Sequence, residues 1–489
     1  MSKFDLSTFQ LGPVSFGRDR IVEPPAGLSR WTTDVDLRPA NDLVVRVEAG
    51  LDPQTGVVRW AFTSLDPATM QPTDDPLAGF LPPNRTAPEG EGSVVFSVSP
   101  KAGLQTGAEV RNGARIVFDV NAPIDTPVWL NTIDKSPPAG GVTQFAAAQP
   151  YVVFYVNWAG TDTGSGVRDY TVFFSEDGGP YNAWLSETTD TSGIFVGRPG
   201  RTYSFHTSAR DKAGNVEAVK TSPEATTTTP NVVANVVDDT RFFVLQHYRD
   251  FLGREPDPEG FDFCTNEIAN CGADAQCREV KRIDVSASFF LSIEFQETGY
   301  LAYRARLAAF GNIPGKPVPT TRAELLPDAL LLSDGVVVGA ENWQQRLEQN
   351  KQAYFGQLAS SDRFTALHPQ ALSPEQYVDA LNSNAGGALS QAERDALVAG
   401  LKAGTKSRAH ALRAVAVDAD LTRAEFNKAF VLMQYFGYLR RDPDAAPDAD
   451  FSGFNFWLAK LDSFNGDFIR AEMVKAFLDS TEYRSRFGQ

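Results

Sequence analysis

The sequence has few of the residues that most often carry chemistry. Among its 489 residues are three cysteines, four histidines and four methionines. The histidines are His206, His247, His368 and His410, which fall in different predicted elements, so no pair forms by proximity along the chain. The motifs His-Glu-x-x-His, Gly-x-Ser-x-Gly, Gly-x-Gly-x-x-Gly and Gly-x-x-x-x-Gly-Lys are also missing. We therefore predict that the protein is not an enzyme and has no catalytic residues.

The chain also lacks an excess of basic residues and any long apolar run. Its 45 Lys and Arg against 61 Asp and Glu give a net charge of −16, which repels nucleic acid and anionic lipid. The longest apolar candidate, Tyr151–Val156, is far below the roughly 20 residues that cross a bilayer. No secretion signal is visible at the start. We predict no nucleic-acid partner and no membrane span; either the protein is cytosolic or its export signal lies outside this chain.

What the sequence does contain is a clear change of pattern along its length. Short alternating runs flanked by turn residues predict a first antiparallel β-sandwich module over residues 1–136 and a second sandwich over residues 137–229. The predicted strands of the first are Leu43–Ala49, Val57–Phe62, Gly92–Val98 and Ala114–Val120. Those of the second are Tyr151–Trp158, Tyr170–Ser175, Gly193–Val196 and Thr202–Ala209. Both sandwiches precede a region of different periodicity.

From residue 238 to residue 489 the apolar residues recur at helical spacing, which predicts an all-α domain. Two segments of it resemble each other, Phe243–Asp257 and Phe430–Asp444, and a degenerate third copy is expected between them. A unit of helix, Pro-Asp turn and helix has an apolar stripe that it covers by packing on its neighbour. The predicted fold class is α+β multidomain, with two β-sandwich modules followed by a helical repeat domain.

Three parts of the chain resemble known families. The turn Leu252–Asp257, the Gly-Phe-x-Phe-Trp at Gly453–Trp457 and the ending Phe477–Tyr483 resemble the bacterial domain of unknown function 4214, a relative of phycobilisome linker domains, although Cys264 replaces the Trp expected in the first copy. Residues 30–135 are similar to a β module of very large bacterial surface proteins, and residues 140–229 to a fibronectin type III or immunoglobulin-like domain. These resemblances imply a secreted or cell-surface protein.

The strongest candidate for a metal site is an acidic loop in the second helical copy. Asp448, Asp450 and Ser452, with Gly453 after them, follow the first half of a calcium loop, in which alternating oxygens converge on the ion. The twelfth position falls on Ala459 rather than on Glu, so Asp444 or another aspartate would complete the site. The alternative is a solvated turn whose aspartates cap the following helix.

The second sandwich offers two weaker candidates. Asp162 and Asp211 flank turns rich in Gly and Asn, and they could share an ion at one end of the sandwich or serve as ordinary turn residues. Trp158, Tyr181 and Trp184 could stack against sugar rings, or could belong to the core between the two sheets.

The cysteines lie together, at positions 264, 271 and 277. An internal bridge leaves one of them unpaired, and we favour Cys271 with Cys277 because the polar turn between them can bring the two sulfurs together. Three reduced thiols are the alternative. A bridge would fit an exported protein.

The function that we predict is an extracellular structural or adhesion role, without catalysis. The helical domain would provide faces for self-association or for docking to a cell-envelope or matrix component, with calcium as a stabilising cofactor. The alternative is a secreted protein that binds or degrades polysaccharide, with a glycan held in a cleft between the sandwich and the helical domain. An intracellular scaffold is a third possibility, which a disulfide would weaken.

Overall fold

The first part of the chain consists of short antiparallel sheets. The computed structural model describes residues 3–17, 20–75, 77–231 and 235–488. The strands of this part are β1 (Phe4–Phe16), β2 (Arg20–Val22), β3 (Arg30–Asp36), β4 (Val44–Leu51), β5 (Val58–Leu65), β6 (Gly92–Pro100), β7 (Glu109–Asn112), β8 (Arg115–Ile116), β9 (Ile124–Asp125) and β10 (Trp129–Thr132). Two three-stranded sheets have the orders β2-β1-β6 and β3-β4-β5, and β7 with β10 and β8 with β9 form two-stranded ribbons.

The two three-stranded sheets are joined by an apolar core. Strand β4 alternates buried and more exposed residues, as a strand with one face on a core does. Val45 and Val47 on this strand pack with Val14 and Phe16 of β1. The ring of Phe16 lies edge-on to that of Phe80, with 5.5 Å between the centroids. The predicted sandwich in this region is therefore present.

The prediction of a long strand at Ala114–Val120 is wrong. Only Arg115–Ile116 forms a strand, β8, which pairs with β9 through two residues. Asp119 has a left-handed backbone with φ of 48°, which ends an extended run. The apolar alternation of this segment does not indicate burial, since Val117 is 55% exposed and Val120 is 99% exposed.

The second sandwich has seven antiparallel strands. They are β11 (Ala139–Val142), β12 (Val153–Thr161), β13 (Val167–Glu176), β14 (Asn182–Thr188), β15 (Ser192–Val196), β16 (Thr202–Asp211) and β17 (Ala225–Thr228). Sheet β11-β12-β15 faces sheet β14-β13-β16-β17. The core between the sheets contains Val156 and Trp158 from one side and Val172 and Phe205 from the other. This is the architecture that the resemblance to fibronectin-type domains implies.

One edge of this sandwich is closed by partly buried glutamates instead of a backbone ladder. Oε2 of Glu224 accepts hydrogen bonds from the backbone N of Val142, at 3.0 Å, and from that of Thr207, at 2.9 Å. Oε1 of Glu224 lies 2.5 Å from Nζ of Lys220, which also pairs with Glu217 at 3.0 Å. The two carboxylates therefore bind strand β11 to strand β16, and the lysine compensates their charge.

The last part of the chain is helical. Its α-helices are α1 (Thr240–His247), α2 (Pro258–Ala269), α3 (Ala275–Leu291), α4 (Ile293–Glu297), α5 (Gly299–Phe310), α6 (Arg322–Ser333), α7 (Trp343–Ser360), α8 (Asp362–Leu367), α9 (Pro374–Asn384), α10 (Gln391–Lys402), α11 (Arg408–Ala416), α12 (Ala419–Gln434), α13 (Ser452–Ser463), α14 (Met473–Asp479) and α15 (Thr481–Ser485). A 3-10 turn at Val236–Asp238 precedes them. In the described ranges, every helix is too short or too polar to traverse a bilayer. The mixed α+β class predicted for the chain is confirmed.

The two segments that resemble each other in sequence also share their local structure. Helix α1 continues into a π-helical turn at Tyr248–Leu252, and α12 continues into one at Tyr435–Leu439. In the first copy Nε of Arg254 lies 2.7 Å from Oε1 of Glu294, and in the second Nε of Arg441 lies 2.6 Å from Oε1 of Glu482. The guanidinium also covers a tyrosine ring in each copy. The repeat is thus a repeat of contacts as well as of sequence.

The second sandwich and the helical domain meet in a packed contact. Oδ2 of Asp239 accepts a hydrogen bond from the backbone N of Val152 at 2.8 Å. The guanidinium of Arg241 lies over the rings of Tyr155 and Phe261, at 5.1 and 5.3 Å from their centroids. Val152 belongs to the same apolar cluster as the helical core. The place where we expected a glycan cleft is therefore filled by side chains around Asp239 and Arg241.

Candidate metal centre

Three aspartates from distant parts of the sequence converge at one end of the second sandwich. Asp162 directly follows β12, Asp211 is the last residue of β16, and Asp134 lies in the connector between β10 and β11. One carboxylate oxygen of each lies within 4.8 Å of those of the other two. Asp162 and Asp211 are the pair predicted to share an ion. Asp134 was missed, although it lies three residues before the Pro137–Pro138 pair at the start of this sandwich.

The two sandwich aspartates are held by their own turns. Oδ2 of Asp162 accepts hydrogen bonds from the backbone N of Gly164, at 3.0 Å, and of Gly166, at 2.7 Å. Oδ1 of Asp211 accepts one from the backbone N of Asn215, and Oδ2 of Asp211 one from Nδ2 of the same residue, both at 2.8 Å. Gly166 has a φ of 83°, a backbone conformation that glycine adopts without strain. The turn residues therefore fix both carboxylates in place.

Asp134 is fixed to the same turns. Its Oδ2 accepts a hydrogen bond from the backbone N of Ser165 at 2.6 Å, and its Oδ1 one from the backbone N of Ser136 at 3.0 Å. The hydrogen bonds from Ser165 lower the pKa of Asp134 to about 2, so this carboxylate is ionised at neutral pH. A Cβ atom on Gly164 would collide with the Asp134 carboxylate, so the close approach requires glycine at that position.

The cluster concentrates negative charge without a basic partner. In the part of the chain that the structure describes, no Lys or Arg forms an ion pair with any of the three aspartates. Asp211 is fully buried, and Oδ1 of Asp162 is shielded from solvent without a hydrogen-bond donor. Two unit charges at the upper limit of this spacing, 4.8 Å, would repel each other by about 3.5 kcal/mol at an effective dielectric constant of roughly 20. A bound cation would remove this repulsion and would give Oδ1 of Asp162 a partner.

The spacing and the donor atoms fit calcium. Calcium takes roughly six to eight oxygen ligands at about 2.3–2.6 Å. Two oxygens bound to one such ion lie at most about 5 Å apart, and the oxygens of this cluster are within 4.8 Å of one another. Three carboxylates are hard oxygen donors, and one of the three side chains is fully buried while the other two are partly exposed, which leaves room for water ligands. Asp134, Asp162 and Asp211 could therefore hold a calcium ion.

The acidic loop proposed for calcium from the sequence has other partners. Oδ2 of Asp444 lies 2.5 Å from Nζ of Lys316, and Oδ2 of Asp448 lies 2.8 Å from Nη2 of Arg441. Oδ1 of Asp450 accepts a hydrogen bond from the backbone N of Ser452, the first residue of α13, at 2.8 Å. A cation at this loop would have to replace both ion pairs. These contacts fit the alternative reading of a solvated turn, in which the aspartates form ion pairs within the turn and accept a hydrogen bond from the start of the following helix.

The three aromatic rings proposed as a sugar platform do not form one exposed surface. Trp158 is 2% exposed and belongs to the core. Trp184 packs beside it, with 6.1 Å between the ring centroids. The ring of Tyr181 packs against that of His206 in a tilted arrangement, with 4.1 Å between the centroids. The positions of Trp158 and Trp184 fit the alternative interpretation, in which these residues belong to the core between the two sheets.

The cysteines pair as the polar turn between them predicted. Cys271 and Cys277 form a disulfide with 5.6 Å between their Cα atoms, between α2 and the first turn of α3. Cys264 is a free thiol that packs partly buried against the helical core. Burial raises the pKa of the Cys264 thiol to about 11, so at neutral pH it is neither a nucleophile nor a ready metal ligand.

His247 is the most deeply buried of the histidines, and its contacts are structural. Its Nδ1 lies 2.7 Å from the carbonyl oxygen of Phe243, and its Nε2 lies 2.9 Å from Oγ of Ser286. Oγ of Ser286 is in turn hydrogen-bonded to the hydroxyl of Tyr438 in the second copy. Burial lowers the pKa of His247 to about 3. This chain of polar groups joins the two copies inside the core.

The helical domain contains an open cleft of about 860 Å³. It lies between α5, α12 and α13, and its walls include Arg304, Phe426, Asn427 and Asn465. Arg304 is 6% exposed and its guanidinium has no carboxylate partner among the described residues. Its hydrogen bonds go to Thr422 and to the carbonyl oxygens of Gln296 and Tyr300. The cleft therefore has a buried positive charge in its wall.

Comparison with known proteins gives limited matches. Residues 79–132 match the family DUF7619, described as a domain of unknown function. A β-1,2-glucanase from Parabacteroides distasonis is similar over 51% of this chain and 42% of its own, with 13% identity and a TM-score of 0.18. The chicken CNTN1 FN1–FN3 domains are similar over 45% of this chain and 99% of their own, with 9% identity and a TM-score of 0.16. The matched part of this chain thus spans less than half of the glucanase. No curated protein matches.

Proposed function

We propose that the protein is a non-catalytic structural or adhesion protein of the bacterial cell surface or matrix, and that calcium stabilises it. The observation that carries the proposal is the convergence of Asp134, Asp162 and Asp211 without a basic partner. Extracellular fluids hold calcium at concentrations that fill weak sites, with dissociation constants of about 10⁻⁴–10⁻³ M. A site of this kind therefore suits a protein outside the cell.

The disulfide supports the same location. Disulfides persist in oxidising compartments and are rare in the cytosol, where thiols are kept reduced. The bridge between Cys271 and Cys277 closes a short polar turn. An exported protein is the simplest setting for it, and a cytosolic scaffold fits it less well.

The helical domain would provide the binding faces. Its two copies share the Arg-Glu pairs of Arg254 and Arg441, which supports the internal repeat that the sequence predicts. Such a domain would act by packing against a second copy or a matrix component, while the two sandwiches serve as spacers. Light scattering of the purified chain tests self-association, and a binding assay on matrix material tests docking. A chain that stays monomeric at all accessible concentrations and does not bind to matrix material would contradict the proposal.

The calcium site is tested by thermal unfolding of the full chain. A ligand present at a hundred times its dissociation constant stabilises the folded state by about 2.7 kcal/mol. For a domain of the size of the second sandwich this raises the melting temperature by roughly 10–20 °C relative to chelator. Asp162→Asn should lose most of this shift. Asp190→Asn, which changes an exposed aspartate of the same sandwich, is the matched control and should keep it.

A transition that is unchanged between millimolar calcium and chelator would refute the cation site. An equal shift in wild type and in Asp162→Asn would place calcium elsewhere. The acidic loop then becomes the next candidate, and Asp448→Asn would be the variant to compare.

The cleft in the helical domain favours a second function, which is recognition of a glycan. Amide side chains such as Asn427 and Asn465 with an aromatic ring at Phe426 are groups that bind sugar hydroxyls and faces, and Arg304 would favour an acidic sugar. A glycan array tests this. Binding that Arg304→Gln abolishes, with unchanged melting, would support it, and an array without any signal would remove it. Turnover of a bound glycan would contradict the absence of catalysis.

A further inference from the structure

We infer that a β-hairpin arm of the first module joins two copies of the chain, by antiparallel pairing of strand β10 with β10 of a second copy. The arm consists of residues 109–132, in which β7 and β8 lead outwards and β9 and β10 lead back. The two ribbons are successive parts of one hairpin, because both pair the outgoing segment with the returning one in nearly the same register. The arm lies outside the helical domain, so this inference goes beyond the association faces proposed there.

The arm has no third strand beside it. In the described ranges of the chain, β7 pairs only with β10 and β8 only with β9. An isolated two-stranded hairpin is at best marginally stable in water. All four residues of β10 are exposed, and so are both residues of β8 and both residues of β9. The arm therefore has the form of an element that a partner completes.

The exposed side chains of the arm are largely apolar. Eight large apolar side chains between Ile116 and Leu130 are at least 41% exposed, and the most exposed are Val120 at 99% and Trp129 at 70%. At about 150 Å² for a large apolar side chain, the eight present on the order of 700 Å². The largest apolar patch of a typical monomer is about 300–600 Å², whereas each partner of a standard protein interface buries about 800 Å². The arm thus presents nearly the area that a stable dimer needs.

The backbone of β10 turns hydrogen-bonding groups outwards. The backbone N of Ile133, the residue after β10, donates to the outgoing side of the hairpin at 2.9 Å. Because the groups of an antiparallel strand alternate in direction, those of Thr132 and Leu130 face away from β7. The carbonyl oxygen of Glu109, opposite Thr132, follows the same alternation, since it accepts a hydrogen bond from Nζ of Lys3. The outer edge of β10 therefore offers donors and acceptors to another strand.

Charge distinguishes the two edges of the arm. The outgoing segment carries Glu109, Arg111 and Arg115, and charged side chains of this kind protect an edge strand from pairing. The returning segment 126–133 contains no charged residue, and within it residues 128–133 contain no Pro or Gly either. A segment of this composition is prone to pair with another strand. A partner strand would therefore pair with β10.

A second copy of the chain is the partner that fits this edge. Antiparallel pairing about a two-fold axis at Leu130 places this residue opposite its own copy, and Val128 opposite Thr132 of the second copy. The net charge of −16 makes two copies repel each other, and β10 is an uncharged place at which they can meet. A partner of opposite charge would find no charge on β10 to recognise. The two-fold contact is closed, so association ends at a dimer.

Sedimentation of the full chain tests the dimer. We expect the mass of wild type to rise from the 53.3 kDa of one chain towards twice that value between about 1 and 50 µM. Leu130→Pro removes the outward N–H at the axis. Proline is tolerated where the N–H of an edge strand faces solvent, so the hairpin should persist while the dimer is lost. Leu130→Val keeps the N–H and an apolar side chain, and it should keep the dimer.

A second variant leaves the backbone donor in place. Leu130→Lys brings two like charges together at the axis, so it should also be monomeric, with an unchanged melting temperature. Val219→Lys is its matched control, because Val219 is an exposed apolar residue of the second sandwich, and this variant should dimerise as wild type does. Raising the salt concentration from about 0.1 to 1 M shortens the Debye length from about 10 to 3 Å. This change should strengthen the dimer, because it screens the repulsion between the acidic copies.

Leu130→Cys locates the axis. Directly opposite residues of a hydrogen-bonded antiparallel pair have Cα atoms about 5.5 Å apart, within the roughly 4.4–6.8 Å that a disulfide spans. Mild oxidation should therefore link two Leu130→Cys chains into a covalent dimer on a non-reducing gel. Asn131→Cys is the matched control and should not form this link, because residue 131 lies opposite Trp129 of the second copy.

The outcomes separate this inference from the proposed function. A chain that is monomeric at about 50 µM contradicts the dimer. A dimer that persists in Leu130→Pro and Leu130→Lys is formed elsewhere; this result overturns the inference and leaves the helical domain as the association face. Loss of the dimer in Val219→Lys as well would show that added charge controls association without the arm. A dimer that weakens with salt would be held by ion pairs and would refute β10 as its contact.

Discussion

Asp250 connects the two helical copies, and its replacement should destabilise the helical domain selectively. Its side chain is 2% exposed and lies in the π-helical turn of the first copy. Oδ2 of Asp250 lies 2.8 Å from Nη2 of Arg486, and Oδ1 lies 2.5 Å from Nη2 of Arg440, which ends the π-helical turn of the second copy. Asp250→Asn would keep the volume and remove the charge that both guanidinium groups share.

The magnitude follows from how deeply each partner is buried. Removing one partner of a fully buried ion pair costs about 3–5 kcal/mol, because the other charge stays buried. Arg486 is 15% exposed at the side chain and falls near this case, whereas Arg440 is 48% exposed and regains water. We therefore expect a loss of about 3 kcal/mol. For a domain of this length the melting temperature falls by roughly 6–12 °C.

The assay is thermal unfolding followed by circular dichroism at a helical wavelength, so that the sandwiches contribute little. Arg440→Ala is the matched control, since an exposed pair contributes about 0–1 kcal/mol. A melting temperature of Asp250→Asn within about 2 °C of wild type would refute the reasoning. It would mean that the two copies are held together by apolar packing, with the ion pairs adding nothing measurable.

Three further predictions concern one buried and two partly buried side chains. His247 is neutral in the folded chain because burial lowers its pKa to about 3. The free energy of unfolding should therefore decrease as the pH falls from about 6.5 towards 3, by up to about 1.4 kcal/mol per pH unit. Urea unfolding at pH 7, 5 and 4 measures this slope, and the variant His247→Gln should lack it. Glu224→Ala should destabilise the second sandwich by about 2–4 kcal/mol, since the backbone N–H groups of Val142 and Thr207 lose their acceptor; calorimetry would show whether that transition shifts alone. Cys264 should react with a disulfide reagent at pH 8 at least about tenfold more slowly in the native chain than in urea, because burial raises its pKa; equal rates would show an accessible thiolate.

The sequence predicted elements wherever periodicity and burial agree. In strand β12 buried residues such as Val156 and Trp158 alternate with more exposed ones. The sequence of this strand shows the same period of two. The run Ala114–Val120 has the same period but lies on a two-stranded ribbon with little to cover it. Alternation of apolar and polar residues predicts which face of a strand is apolar. It does not predict whether a second sheet covers that face.

The sequence predicted two of the three aspartates of the candidate site, for a similar reason. Asp162 and Asp211 stand in turns whose Gly and Asn residues mark one end of a sandwich, so their proximity followed from strand order. Asp134 belongs to a connector, and its position depends on how one module meets the next. At Gly164 the carboxylate of Asp134, which lies outside the sandwich, occupies the space that a side chain would take. No local sequence pattern predicts this contact.

The acidic loop shows how a repeat can accumulate charge without acquiring a ligand. In the first copy Asp257 forms an ion pair with Arg254 at 3.3 Å. It also caps α2, because its side chain accepts a hydrogen bond from the backbone N of Gly260 in the first turn of that helix. The second copy has six extra residues before its corresponding glycine. There the arginine contact is made by Asp448, and Asp444 pairs with Lys316. In the longer turn several aspartates therefore share the contacts that one aspartate makes in the first copy. Two ion pairs and the hydrogen bond from Ser452 to Asp450 account for three of these carboxylates.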